Sequence, residues 1–130
     1  MKIINSEKYT ATVTIGLQRR YTENQWNKND VVYKLQAIQN QFIEFEKIYL
    51  SAAISECDIV LSGQVEPSLK FDFINYPKFP LSELVFKVTV LKLANQLMNI
   101  LEQNRVVVVF HNDITMLENN CLIDPRIKLA

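Results

Sequence analysis

Arg105-Val-Val-Val-Val-Phe110 is the stretch that decides the fold. Four consecutive valines are β-branched and stiff at χ1, which favours a strand. A run apolar on both faces suits the middle of a covered sheet. The expectation is a central strand with Val107 and Val109 buried, together with one of Val106 or Val108.

The strand follows a long apolar segment, read as a helix over 81–103 with Ser82 as its cap. Phe86, Val90, Leu93, Ala94, Leu97, Ile100 and Leu101 form its inner face. Ser82, Thr89, Lys92, Gln96, Asn99 and Gln103 form an outer stripe. Leu84, Val85 and Val88 fall outside the inner face, so a loop or the chain terminus, or else a subunit interface, is expected to cover them. Beyond Phe110 the strand is expected to resume after Asn112-Asp113 as far as Leu117. Residues 119–130 show no period and read as a loop or tail.

On the N-terminal side, Tyr9-Thr-Ala-Thr-Val-Thr-Ile-Gly-Leu17 alternates, with Ala11, Val13, Ile15 and Leu17 on one face. Gly16 inside this strand predicts a bulge or a close backbone approach. Thr22-Glu-Asn-Gln25 fits a capping box for a helix over about 23–45, and Asn29-Asp30 is a second possible start. Val31, Leu35, Ile38, Phe42 and Phe45 give that helix its apolar stripe. Residues 48–61 alternate with a phase slip at Glu56-Cys57, which reads as one bulged strand. Gly63 to Pro67 reads as a turn, and Leu69 to Ile74 completes a hairpin.

The order is β-α-β-β-α-β. The expected fold is an α+β, two-layer, ferredoxin-like sandwich, a largely antiparallel sheet with two helices on one face. With 130 residues and no linker or repeat, one domain is expected, ordered over about 8–118.

Three local features resemble a group of small uncharacterised ferredoxin-like proteins. They are Ile15-Gly16-Leu17 ending the first strand, Thr22-Glu23-x-x-Trp26 opening the first helix, and Glu66-Pro67-Ser68 opening a hairpin strand. The resemblance spans roughly residues 10–110. It implies the fold and carries no activity. This chain lacks the glycine-rich loops of that group.

Composition narrows the function. Lys+Arg and Asp+Glu are equal at 14 each, without the basic excess of a nucleic-acid or anionic-membrane binder. Two glycines cannot make a phosphate loop, and no GxSxG, HExxH or Walker pattern occurs. Cys57 and Cys121 have no metal-ligand spacing, so neither a metal nor another cofactor is expected. No apolar run approaches a membrane span, and no signal peptide is visible, so the expected compartment is a reducing cytoplasm.

His111, the one histidine, stands beside Asp113, and Glu66 is expected at the same end of the sheet. An imidazole with a carboxylate suits acid–base catalysis. The simpler role for His111 is a strand-end residue touching water. Arg19, Arg20 and Tyr21 leave the first strand, Tyr76 and Lys78 leave the third, and Arg105 enters the last. With both helices taken to start at one end, these residues are expected to gather there as a site for a phosphate or carboxylate. The opposing reading is that the charges are solvated or pair with Glu23 and Asp30.

The preferred function is a small ligand- or protein-binding module that associates with itself. One alternative is a small enzyme using His111 and a carboxylate. A second is a single-stranded RNA binder with Phe71 and Phe73 on the open sheet face. The absence of catalytic motifs favours the binding module.

Overall fold

The computed structural model describes residues 1–19 and 23–119. Its elements run β1 (Thr10–Gly16), α1 (Lys28–Glu46), β2 (Ala53–Leu61), β3 (Gln64–Ile74), α2 (Glu83–Ile100), β4 (Arg105–Phe110) and β5 (Ile114–Glu118). The five strands form one antiparallel sheet in the order β2-β3-β1-β4-β5. This is the expected α+β sandwich with one strand added. The turn at His111–Asp113 folds the chain back, so 114–118 pairs beside β4 instead of prolonging it.

Each element follows from local chemistry. α1 starts later than the Thr22 capping box predicts. Asn27 caps it, its side chain accepting from the Asn29 amide at 2.7 Å. Gln25 is held in extended backbone by a bridge to Gln18, so no helix forms there; Thr22 lies outside the described residues. Ser82 caps α2 as expected, accepting from the Val85 amide at 3.2 Å. β2 pairs with β3 in unbroken register, so the phase slip at Glu56-Cys57 makes no bulge, and residues 48–52 precede the strand. The turn is two residues, Ser62 and Gly63, both at positive φ, and Val65 to Pro67 already belong to β3.

One sheet face and two helices enclose the core. Ala11, Val13, Ile15, Leu69, Phe71, Phe73, Val106 and Val108 meet Val31, Leu35, Phe86, Val90, Leu93 and Leu97. Phe45 and Ile100, assigned to inner faces, are exposed, and Thr89, assigned outside, is buried. The valine strand departs from expectation in a telling way. Val106 and Val108 are buried, but Val107 and Val109 are 37% and 44% exposed, because β-strand side chains alternate and no described helix covers the second face at these positions. Among the described residues no helix is long and apolar enough to cross a membrane.

The two positions give a paired test. Val106→Asp buries an unpaired charge and is expected to cost several kcal/mol, enough to unfold the chain. Val107→Asp is expected to leave it folded. Urea melts followed by circular dichroism separate the two, and equal loss in both would refute the assignment of faces.

Candidate functional site

Antiparallel pairing assigns every loop to an end of the sheet. Gly16 faces Ser68 and Thr10 faces Ile74 across β1 and β3. β1 therefore exits where β3 enters, and α1 and α2 start at opposite ends. Arg19 and Arg105 lie at the Gly16 end. Tyr76 and Lys78 follow Ile74 at the Thr10 end. Arg20 and Tyr21 lie outside the described residues. The expected single cluster is split, because β1 and β3, antiparallel neighbours in the sheet, cannot deliver their following helices to the same end.

The same geometry separates Glu66 from His111. Glu66 is at the Gly16 end, and His111 follows Phe110, which pairs with Ala11 at the other end. His111 also does not take Asp113. Its Nε2 lies 3.1 Å from Glu83 Oε2 in the first turn of α2, and its Nδ1 lies 3.3 Å from the Thr10 backbone. Asp113 pairs with Lys87 at 3.3 Å. His111 thus ties together the start of β1, the end of β4 and the start of α2. Phe71 and Phe73 are buried under the helices, which removes the stacking surface that the RNA reading requires.

A different constellation stands at the Gly16 end. Glu66 lies on the face of the sheet away from the helices, and its side chain lies over Gly16. A Cβ at Gly16 would overlap Glu66 Oε1, and it would lie 3.0 Å from Gln103 Oε1. The glycine predicted a bulge or a close backbone approach; the pairing with β3 is unbroken there, and what approaches is this carboxylate side chain. Gln103 was assigned to the outer stripe of α2. The helix instead ends at Ile100, and Glu102 takes a left-handed φ of 55°. Gln103 is thereby buried over Gly16. Its Nε2 donates to the carbonyls of Gln18 (2.5 Å) and Leu101 (3.1 Å). With the amide nitrogen committed, its oxygen points to the same place as the carboxylate. Two acceptors converge there, an arrangement that suits a cation or an ammonium donor.

Around them, Arg105 Nε donates to Glu118 on β5. The Arg19 guanidinium stacks 3.9 Å over Trp26, and the Trp26 Nε1–H is held by Leu101 O at 2.8 Å. Ser68 is buried beside Gly16. The end therefore brings together acceptors from Glu66 and Gln103 with the guanidinium groups of Arg19, stacked on Trp26, and Arg105, paired with Glu118. Among the described residues no three His, Cys, Asp or Glu side chains cluster to hold a metal ion.

No family model matches the sequence, and no curated protein matches it. Solved structures do share the fold. A phage SAM lyase in complex with S-methyl-5'-thioadenosine superposes with a TM-score of 0.71 at 21% identity, over 91% of this chain and 95% of that chain. A phage SAM lyase in the apo state gives 0.72 at 20% identity, over 95% and 98%. The likeness extends over almost the whole of each chain, and at this identity it shows a common fold.

Gly16 gives a clean probe of this end. Its φ is not in the left-handed region, and the nearest atoms an alanine Cβ would meet are the Glu66 carboxylate tip and the Gln103 amide oxygen. Gly16→Ala is expected to change stability by no more than about 1 kcal/mol while displacing the Glu66 side chain. Chemical denaturation checks the first part and a crystal structure of the variant the second. Unchanged Glu66 placement would refute the contact.

Proposed function

We propose that this chain binds a sulfonium nucleoside of the S-adenosylmethionine class at the Gly16 end and cleaves it to the thioether nucleoside. The observation that carries the reading is the pair of acceptors, Glu66 and Gln103, converging over Gly16 on a fold shared with a phage SAM lyase. The amino-acid arm of such a substrate ends in an ammonium and a carboxylate. The ammonium matches the two converging oxygens. The carboxylate is the anion for which Arg105 and Arg19 provide forked donors. The anion site expected from the sequence thus becomes one half of a zwitterion site.

Charge on sulfur disappears as its bond to the arm breaks. An anion held beside sulfur would bind the substrate without lowering the barrier, because it stabilises the ground state more than the transition state. Glu66 therefore acts on the arm. The C–S electron pair leaves with sulfur, giving a neutral thioether. The replacing pair comes from the arm's own carboxylate oxygen, which forms a C–O bond to the carbon that loses sulfur and closes a lactone, so no water is added. Fixing the arm in one conformation is the main contribution these residues can make to the rate.

The expected result is formation of 5'-methylthioadenosine from S-adenosylmethionine, followed by chromatography and mass spectrometry. Glu66→Gln keeps the shape and removes the charge, and is expected to lower the rate about ten- to a hundredfold. A wild-type chain that neither binds nor cleaves the sulfonium compound would overturn the reading, as would an unaffected Glu66→Gln.

A second reading, self-association, draws on the open sheet face. Val107 pairs with Met116 and Val109 with Ile114, making a continuous apolar strip; Met116 is 54% and Ile114 71% exposed. The net charge of zero opposes no contact between copies. We propose a homo-oligomer that covers this strip, in preference to Leu84, Val85 and Val88 on α2. Light scattering is expected to show an oligomer that Val107→Lys with Met116→Lys reduces to monomers. A monomeric wild type would contradict it.

A further inference from the structure

A cleft of about 680 Å³ opens at the Thr10 end, between the second half of α1 and the loops before β2 and after β3. Three features mark it as more than a surface hollow. Its aromatic wall is a row of near-parallel rings. Tyr49 and Phe79 have centroids 4.6 Å apart at 24°, and Phe79 and Tyr76 6.1 Å apart at 27°. All three rings are between 41% and 46% exposed, so the row is open to extension by another flat ring. The opposite wall carries amides from α1. Gln39 is fixed by a bond from its Nε2 to Leu50 O at 3.0 Å. Gln36 and Asn40 are four residues apart on one helix face, and neither makes a hydrogen bond among the described residues. Finally, none of the described residues that line the cleft is charged.

We propose that this cleft is a second ligand site, for a neutral nucleoside with an adenine-type base. The base extends the aromatic row, a contact that tolerates any flat heterocycle. Gln36 and Asn40 each present a donor and an acceptor side by side, the pattern that pairs with the amino group and adjacent ring nitrogen of adenine. The Ser51 hydroxyl offers a further polar contact for the sugar. An uncharged lining has no partner for a phosphate or a sulfonium group, so the site discriminates against both. The inference does not rest on the lyase reading, which concerns the opposite end of the sheet.

The test is isothermal titration of the full chain with adenosine, adenosine monophosphate and a neutral disaccharide. Adenosine is expected to bind with one saturable site and the disaccharide not at all, with the monophosphate no tighter than adenosine. Phe79→Ala is expected to weaken adenosine about tenfold or more. The Gln36→Ala, Asn40→Ala pair lies on an exposed helix face, so it keeps the fold and is expected to weaken binding similarly. Gly16→Ala is expected to leave it unchanged. Four results would each overturn the proposal. These are no adenosine binding up to millimolar concentration, binding lost in Gly16→Ala but not in Phe79→Ala, tighter binding of the monophosphate, and binding of the disaccharide in adenosine's place.

Discussion

The antiparallel pairing of β1 with β3 is the constraint on which the rest of the structure depends. Ile15 against Leu69, Val13 against Phe71 and Ala11 against Phe73 place six apolar side chains under the helices. A slip of one residue would turn that whole set outward, so burial itself fixes the register. Once fixed, it sends α1 and α2 off opposite ends, puts Glu66 beside Gly16, and leaves His111 to the other end with Glu83. The chemistry available at each end is a consequence of strand direction.

The two helices and the order of elements as far as β4 were legible because periodicity reports burial. Val31, Leu35, Ile38 and Phe42 read correctly as a buried stripe, and Phe45, in the last turn of α1, did not: it is exposed. The valine run shows where pattern fails. Four identical residues carry no alternation, so nothing in the sequence states that Val107 and Val109 face outward. β5 was unreadable for a similar reason: a tight turn at Asn112-Asp113 and a continuing strand produce the same residues.

The candidate site was half legible. Gly16 in a strand announced a special position, though a side chain and not a backbone segment approaches it, and Arg19 and Arg105 do lie at one end. Gln103 was missed because a left-handed residue at Glu102 redirects it, and helical periodicity cannot anticipate where a helix stops. Placing Tyr76 and Lys78 with the arginines was an error of topology. Tyr76 instead lines a different cleft, whose aromatic and amide walls come from segments far apart in sequence.

The central claim is that Gly16 exists to seat the Glu66 carboxylate where it meets a ligand. Removing the glycine and removing the charge should then be the same lesion. A double-mutant cycle with Gly16→Ala and Glu66→Gln, read as affinity for S-adenosylmethionine, tests this most directly. The account predicts strong non-additivity, with the double variant binding no more weakly than either single one. Additive losses would mean that the two residues act independently, and would contradict it.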